Sequence, residues 1–404
     1  MLDRVLIALS GLARPGAPAG TERRLYELAV ERYFGSGNAL AFWKGRIALY
    51  AILKALGIGP GDEVIVPGYT CVMVPGPVIY LGARPVYVDI EPEHYAVSPP
   101  VIDQHITART KAILVQHTYG MPAPVREIRR RADAQRIAVI EDCCHTFGGR
   151  LAGQLLGTFG HAAFFSGQWN KPFSTGLGGL ALIHDPELAQ RARAIQAALP
   201  APTWTAAGML AGQLLAYELL IFPTTTALAT RAFRWLSRRG LVVGSSSSAE
   251  FEPVMPVGYA RSAARVQCRL GQREVLRVGA NLRARRHVEE RYCAELARLG
   301  YRVPTLPPDW DTPLLRFPLR VANKAEALAQ AARHGVEIGS WFECPLHPHE
   351  TDQAAFGYVA GMCPISERAC AEVINLPTHR RVRPSDVDRT LEFVQSICRP
   401  AAPA

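Results

Sequence analysis

A single lysine in a glycine-rich stretch offers the clearest chemistry in this 404-residue chain. Lys171 stands between an apolar run that ends in the hydroxyl of Ser166 and the turn Gly176-Leu-Gly-Gly179. Upstream, another apolar run ends in the carboxylate of Asp142. A lysine amine, a buried carboxylate and a nearby hydroxyl are the groups that pyridoxal phosphate (PLP) chemistry requires. Lys171 would form the Schiff base and Asp142 would keep the pyridine nitrogen protonated, so both are predicted to be catalytic.

Both side chains need unusual surroundings to act in this way. The amine of Lys171 must be neutral, so burial and nearby positive charge must lower its pKa from about 10.4. The carboxylate of Asp142 must stay ionised at a buried strand end, where an unpaired charge is costly. The alternative for Lys171 is a surface lysine in a polar loop, and Glu141 is the alternative carboxylate, in a structural role.

Strands and helices alternate from about residue 40 to residue 185, which predicts a mostly parallel α/β sheet. The helix that begins near Arg46 carries apolar residues at the i, i+3, i+4, i+7 positions of an amphipathic helix. Ligands of such sheets collect at the carboxyl ends of the strands, where Asp142, Ser166 and Lys171 would meet. The predicted buried strands are 63–66, 85–88, 111–115, 137–140 and 162–165, and the clearest helix between them is 125–134.

Three regions are predicted along the chain. Residues 1–22 form an N-terminal helix or extension, residues 23–255 form a large PLP-binding α/β domain, and residues 256–404 form a linking helix and a small α+β domain. The linking helix would run from about Leu276 to Leu299, with Gly300 as its C-cap.

An apolar insert, 204–239, lies within the large domain. Glu218 is the only charged residue between Trp204 and Thr230, and four arginines follow. Polar residues and a proline interrupt the insert, so it falls short of the about 20 apolar residues of a spanning helix. It is predicted to be a buried or subunit-interface helix. The alternative is a helix that lies peripherally on the inner face of a membrane.

Composition and charge exclude several classes of protein. With 49% hydrophobic and 20% charged residues, the chain has the composition of a soluble globular protein. A net charge of +10 suits a phosphate-rich small substrate, whereas a nucleic-acid partner is not predicted because no reader motif is present. The nine cysteines lack metal-type spacing and the density of a secreted scaffold, which predicts a reducing cytoplasm and no metal.

Several strings along the chain resemble one family. From about Ala41 to Arg399 their order and spacing are similar to the DegT/DnrJ/EryC1/StrS family of PLP-dependent sugar aminotransferases. Any one string is weak, but together they are specific. The strings are Gly59-Pro-Gly-Asp-Glu-Val-Ile-Val-Pro67, Gly82-Ala-Arg-Pro-Val-Tyr-Val-Asp89, Glu141-Asp-Cys-Cys-His145, Lys171 with Gly176-Leu-Gly-Gly179, Pro364-Ile-Ser-Glu367 and Asn375-Leu-Pro-Thr-His379.

The resemblance implies fold, activity and partners. The fold would be the PLP-dependent transferase fold type I, a three-layer α/β/α large domain with a small α+β C-terminal domain, in a homodimer. The reaction would move an amino group from an amino acid, glutamate above all, to a keto-sugar on a nucleotide diphosphate, in polysaccharide or glycoconjugate biosynthesis.

The resemblance also implies further cofactor-binding residues. Gly45 and Arg46 would bind the phosphate at a helix N-terminus, together with Ser166, and His145 would lie near the phenolic oxygen of the cofactor. Arg261 matches an arginine of a family string that reaches the neighbouring subunit, and it is the expected partner of the substrate diphosphate. The chain departs from the family pattern at Arg46, Cys71, Gln168, Leu177 and Tyr259, which suggests a divergent branch.

Two other functions remain open. Some relatives dehydrate or deoxygenate sugars with the same cofactor, but they typically replace the lysine, so Lys171 favours transamination. A PLP-fold protein kept for regulation or scaffolding would not need both Lys171 and Asp142.

Overall fold

The protein is built around a seven-stranded sheet, in a computed structural model that describes residues 2–13, 20–169, 171–220, 244, 246–305 and 307–402. The strands are, in chain order, β1 (Asn38–Phe42), β2 (Glu63–Pro67), β3 (Thr70–Cys71), β4 (Arg84–Val88), β5 (Thr110–Gln116), β6 (Ala138–Asp142), β7 (Arg150–Leu151), β8 (Gln154–Leu155), β9 (Ala162–Ser166), β10 (Gly179–Ile183), β11 (Trp310–Asp311), β12 (Arg316–Arg320), β13 (Leu346–His347) and β14 (Val373–Pro377).

The helices connect and cover these strands. They are α1 (Leu2–Ala13), α2 (Gly20–Phe34), α3 (Gly45–Ala55), α4 (Pro75–Tyr80), α5 (Pro99–Asp103), α6 (Val125–Ala134), α7 (Pro186–Ala198), α8 (Trp204–Leu220), α9 (Arg265–Arg298), α10 (Lys324–Ala331), α11 (Pro364–Glu372) and α12 (Pro384–Ile397).

The large sheet has the order β1-β10-β9-β6-β5-β2-β4. Strands β9, β6, β5, β2 and β4 run parallel to one another. Strand β10 pairs antiparallel with β9, and β1 pairs antiparallel with β10. The predicted mostly parallel sheet is therefore confirmed. Because β6 and β9 are parallel neighbours, Asp142 and Ser166 lie at the same edge of the sheet.

Alternating side chains of the sheet enter two different cores. Val64 and Val66 of β2 pack with α3 and α7, whereas Ile65 of the same strand packs with α2, α6 and the first half of α9. Successive residues of a strand point to opposite faces, so each face needs its own layer of helices. The predicted three-layer α/β/α architecture of fold type I is confirmed.

A third core lies beyond the large sheet. It joins the second half of α9, through Tyr292 and Leu296, to the antiparallel pair β12-β14 and to α12. This α+β unit agrees with the predicted small C-terminal domain. The boundaries at residues 22, 255 and 256 stay predictions.

The linking helix begins earlier than its sequence predicts, at Arg265 and not near Leu276. Its first turns are held by tertiary contacts, since Gln267 donates hydrogen bonds to the carbonyls of Trp43 (3.1 Å) and Leu177 (2.8 Å). The ring of Tyr26 also packs against Gly271, where a side chain would not fit. No local pattern in the sequence encodes these contacts. The C-terminal end agrees with the prediction, and Gly300 follows it with φ +81°.

The first half of the insert, α8, packs against α1 and carries buried Leu210 and Leu214. Arg4 of α1 forms buried ion pairs with Glu218 of α8 and with Glu274 of α9. The remainder, 221–239 with its four arginines, lies outside the described residues. None of the helices in the described part of the chain has the length and apolarity that a membrane crossing requires.

Candidate active site

Lys171 is buried in the loop between β9 and β10, where only 7% of its surface is exposed. Its amine lies 4.6 Å from the ring centroid of Trp341. Burial lowers the pKa of Lys171 below its usual range; the nearby Asp142 opposes this shift and Arg316 reinforces it. The amine is therefore shifted toward the neutral, nucleophilic form, in contrast to an exposed lysine in a polar loop.

The adjacent carboxylates of β6 have separate surroundings. Glu141 accepts hydrogen bonds from the N–H groups of Gly157 (2.9 Å), Phe159 (2.8 Å) and Gly160 (2.7 Å), and from Nε2 of His117 (3.0 Å). These four donors occupy both carboxylate oxygens of Glu141. Its role is therefore to hold the loop before β9.

Asp142, which points to the other face of β6, has fewer partners. Its Oδ1 accepts one hydrogen bond from the N–H of Cys144 (2.9 Å). Burial raises the pKa of Asp142, while that hydrogen bond and the charge of Lys171 oppose the rise. A cationic group placed beside Asp142 would keep it ionised, which is the property required of a pyridinium partner.

Replacing Glu141 by glutamine is expected to destabilise the fold by about 3–5 kcal/mol, because the amide cannot accept from all the buried donors. Burial alone would raise the pKa of Glu141, but the hydrogen bonds from His117, Gly160 and Gly157 lower it below its ordinary value. The carboxylate's stabilisation is therefore complete above about pH 4.3 and is lost as the pH falls through the lowered pKa.

Urea unfolding at pH 7 and at a series of pH values below 4 measures this effect. The matched control is Glu127→Gln on α6, where the glutamate is 46% exposed and paired with Arg131, so its loss should cost less than about 1 kcal/mol. Equal stability of the two variants at pH 7 would contradict the structural role of Glu141.

Gly45 and Ser166 are brought together at the N-terminus of α3. A Cβ on Gly45 would lie 3.1 Å from the Cβ of Ser166, and a Cβ on Gly179 would overlap the carbonyl of Lys44. No side chain caps this end of the helix. Backbone N–H groups at an uncapped helix start attract anions, so glycines and serine together form a cradle of the kind that holds phosphate.

Arg46 is engaged elsewhere within the chain. Its guanidinium forms an ion pair with Glu250 (2.8 Å), contacts the sulfur of Met73 and donates a hydrogen bond to Ser246 (3.2 Å). Lys44 pairs with the same glutamate at 3.1 Å. A contact from Arg46 to a phosphate would compete with this carboxylate, so its cofactor-binding role stays a prediction.

His145 lies beside Lys171, stacked on the ring of Trp341 with centroids 5.2 Å apart. Its Nδ1 accepts a hydrogen bond from the N–H of Tyr119 (3.0 Å), which leaves the proton of the neutral ring on Nε2. Burial lowers the pKa of His145 well below its usual value, and the charges of Lys171 and Arg316 add to the shift. His145 is therefore a neutral hydrogen-bond donor next to the lysine.

Three residues around Lys171, namely Trp341, Arg316 and Arg285, were not predicted from the sequence. Trp341 lies against Lys171 and His145, and the guanidinium of Arg316 is 4.7 Å from its ring centroid. The backbone N–H of Trp341 donates a hydrogen bond to Oδ1 of Asn375 (2.7 Å). Lys171, Arg285 and Arg316 line one cavity of about 260 Å³. Only the Asn375-Leu-Pro-Thr-His379 string hinted that this part of the chain reaches the site.

Some residues at which the chain departs from the family pattern pack in the interior of the protein. Leu177 is buried in the core on the α3 face of the sheet, and Tyr259 packs against Tyr50 and Tyr80. The carbonyl of Gln168 accepts the N–H of Lys171 (3.0 Å) and so helps to shape the loop. Cys71 lies close enough to Lys171 and Asp142 for their charges to act on its thiol, whose pKa burial raises.

The chain is similar to the known proteins of one family. The model of the DegT/DnrJ/EryC1/StrS aminotransferase family matches residues 16–206 and 220–395. The chain is 27% identical to the UDP-N-acetyl-3-dehydro-alpha-D-glucosamine 3-aminotransferase of Acidithiobacillus ferrooxidans, over 93% of this chain and 88% of the relative. It is 29% identical to the GDP-perosamine synthase of Caulobacter vibrioides, over 92% of this chain and 89% of the relative.

Solved structures share the fold. The aminotransferase TlmJ from Streptoalloteichus hindustanus superposes with a TM-score of 0.76 at 23% identity, covering 97% of this chain and 95% of that one. The corresponding values for DesV from S. venezuelae are a TM-score of 0.75, 24% identity, and 98% and 94% coverage.

The residues of the site fit PLP. A buried lysine with a lowered pKa suits the aldehyde, and a buried aspartate with one hydrogen bond suits a cationic ring nitrogen. The cradle of Gly45, Ser166 and Gly179 excludes side chains and offers backbone donors to a phosphate. The cofactor expected from the sequence therefore has matching groups at each of its ends.

Proposed function

The chain belongs to the DegT/DnrJ/EryC1/StrS aminotransferase family and is a PLP-dependent aminotransferase, and from this premise we propose its substrates and the roles of its residues. The amino donor is an amino acid, glutamate above all, and the acceptor is a keto-sugar on a nucleotide diphosphate. The names of the similar enzymes from A. ferrooxidans and C. vibrioides, one a UDP-sugar aminotransferase and one a GDP-perosamine synthase, support this class of acceptor.

The observation that carries the proposal is the position of Lys171 beside Asp142 and His145. The lysine follows β9 and the aspartate ends the neighbouring parallel strand β6, so the sheet edge holds a nucleophile and a carboxylate close together. Both are buried, which strengthens each electrostatic interaction between them.

When bound, PLP supplies an aldehyde that condenses with amines and a ring that accepts electrons. Lys171 would hold the cofactor through its amine, and the same amine would move the proton of the donor's α-carbon. Asp142 would keep a negative charge at the ring nitrogen, His145 would donate from Nε2, and the cradle at the start of α3 would hold the phosphate.

The mouth of the cavity offers cations to a nucleotide diphosphate. Arg380 and Arg381 follow Thr378 and His379 on the loop after β14, and all four residues line the cavity. Arg381 lies over the ring of Tyr217, with its guanidinium carbon 4.1 Å from the ring centroid. A basic rim beside aromatic rings suits both the phosphates and the base of a nucleotide.

Arg261, the diphosphate partner expected from the sequence, does not line the cavity of its own chain. Its Nε donates to the carbonyl of Gly258 (2.9 Å), and its charge acts on Lys44. Its predicted role therefore depends on a neighbouring subunit.

Replacing Arg380 by alanine is expected to raise KM for the sugar nucleotide about tenfold, because one charge-assisted phosphate contact is removed. KM for the amino donor should change by less than about twofold, and added salt should weaken wild-type affinity for the nucleotide. Steady-state kinetics with Arg261→Ala in parallel separates the two candidate sites. An unchanged KM in Arg380→Ala with a raised KM in Arg261→Ala would move the diphosphate to the subunit interface.

Two half-reactions test the proposed function. Holoenzyme mixed with L-glutamate should convert its cofactor absorbance to that of the amino form, and a nucleotide-linked keto-sugar should restore it. The free keto-sugar is the matched control and should react much more slowly, because it lacks the diphosphate. Equal rates with free and nucleotide-linked sugars would reject the nucleotide assignment, and no conversion by any amino acid would reject the transamination.

The proposed functional unit is a cytoplasmic homodimer. Exposed Val254 and Val257 precede the Gly258-Tyr-Ala-Arg261 segment, which matches the family string that reaches the neighbouring subunit. All nine cysteines are free thiols, as suits a reducing compartment. Light scattering tests the dimer, and flotation with anionic liposomes tests whether the insert 204–239 also lies on a membrane. Deletion of 221–239 is the matched control for flotation.

A further inference from the structure

Two arginines in the wall of the cavity, the buried Arg285 and the half-buried Arg316, form no ion pair with a carboxylate of the described residues. Arg285 of α9 is 3% exposed and donates from Nη1 to the carbonyl of Leu315 (2.9 Å) and the hydroxyl of Thr378 (3.2 Å). Its Nε is buried without a hydrogen-bond partner. Arg316 of β12 lies over the ring of Trp341. No carboxylate among the described residues forms an ion pair with either guanidinium.

The two cations also act on each other and on the lysine. Burial lowers the pKa of Arg285 to about 9, and the charges of Arg316 and Arg380 contribute. The charge of Arg316 in turn lowers the pKa of Lys171. The charge of Glu337 attracts Arg316, but Glu337 is paired with His379 at 3.2 Å. A buried charge such as that of Arg285 is normally paired, and Arg316 faces the same cavity, so this arrangement has a place for an anion from outside the chain.

We propose that Arg316, supported by Arg285, binds the carboxylate group of the amino-acid donor. This inference rests on the proposed function. In an α-amino acid the carboxylate is bonded to the carbon that carries the nitrogen, so it must lie close to the lysine when the amine reacts. The planar guanidinium can donate two parallel hydrogen bonds to a carboxylate, and the ring of Trp341 keeps its orientation.

A nucleotide diphosphate fits this position less well. The sugar ring separates the phosphates from the keto carbon, so they must lie farther from Lys171 than a donor carboxylate does. The exposed arginine Arg380 occupies such a position at the mouth. The cavity thus holds an inner cationic pair for the donor and an outer cationic rim for the nucleotide, and the two substrates can use it in turn.

The test compares Arg316→Gln and Arg316→Lys with wild-type holoenzyme. In the half-reaction with L-glutamate, Arg316→Gln should need an about ten- to hundredfold higher concentration for half-maximal rate. Arg316→Lys should lose less, because its ammonium keeps the charge but cannot form two parallel hydrogen bonds. The matched control is Arg298→Gln, an arginine at the end of the same helix as Arg285 that is 76% exposed, and it should behave as wild type.

A binding measurement without turnover accompanies the kinetics. Glutarate carries the two carboxylates of glutamate but no amine, and its binding should change tryptophan fluorescence because Trp341 lies beside Arg316. Arg316→Gln should weaken glutarate binding by about ten- to hundredfold. Hydroxylamine, which has no carboxylate, should react with the bound PLP of the wild type and of both variants at similar rates.

The outcomes separate the inference from the proposed function. A wild type that reacts with no amino acid would reject the function itself. A wild type that reacts, with variants that keep its concentration dependence for L-glutamate and its affinity for glutarate, would overturn the role of Arg316 alone. If Arg316→Gln does not fold, Arg316→Lys is measured in its place. Wild-type affinity of Arg316→Lys for L-glutamate and glutarate would then overturn the inference.

Discussion

Lys171→Ala is expected to lower turnover on the order of 10⁶-fold, the size of effect seen when a covalent nucleophile is removed. The fold should survive, because the buried amine forms no hydrogen bond or ion pair within the described residues and lies over the face of Trp341. Burial of an amine without such partners is costly, so the thermal midpoint of the cofactor-free variant should be equal to or higher than that of the wild type. Steady-state kinetics and thermal unfolding measure the two effects.

Borohydride reduction followed by peptide mass mapping should place PLP on Lys171. The matched control is Lys324, a second buried lysine, 8% exposed. Its amine donates to the carbonyls of Phe342 (3.2 Å) and Cys370 (2.6 Å), which identifies a structural role in the small domain. Lys324→Ala should therefore lose stability and keep cofactor on Lys171. A label on Lys324 in the wild type would contradict the assignment.

Asp142→Asn is expected to slow transamination about 10²–10³-fold, the cost of losing one preorganised electrostatic contact. The amide keeps the size of the side chain, and its oxygen can still accept the N–H of Cys144. Cofactor binding should weaken far less than the rate, because the cradle at the start of α3 is unchanged. Single-turnover rates and PLP titration measure the two quantities. A variant within a few-fold of the wild-type rate would show that another group holds the ring nitrogen.

Asp142→Asn is also expected to stabilise the cofactor-free protein at pH 7. The pKa of Asp142 is raised in the folded protein, so its ionised form is unfavourable there and stability falls as the pH rises through that pKa. Asp142→Asn removes this cost, and the cofactor-free variant should melt at a higher temperature than the wild type at pH 7. Below the ordinary pKa of aspartate, about 3.9, the difference should vanish. A lower melting temperature at pH 7 would show that the carboxylate stabilises the fold.

The five parallel strands of the large sheet, and the order of the reactive groups at their ends, could be predicted from the sequence. Helix α6 has the bounds that its sequence predicts, and the predicted strands differ from the observed ones by a residue or two at their ends. These elements are encoded locally, because apolar runs between turn residues can be buried only as strands or helices. Once Asp142 and Ser166 end neighbouring parallel strands, they must share an edge of the sheet. The loop to Lys171 then begins at that edge.

Which charged groups meet depends on the folded chain and could not be predicted from the sequence. Arg316, Trp341 and Arg285 come from separate elements far along the chain, so no spacing connects them to Lys171. Arg46 was expected at the cofactor, but Glu250, about 200 residues later, pairs with it. The choice between partners depends on distance and burial in three dimensions. A sequence gives the charge of each side chain and leaves its partner open, because electrostatic energy is set by the folded geometry.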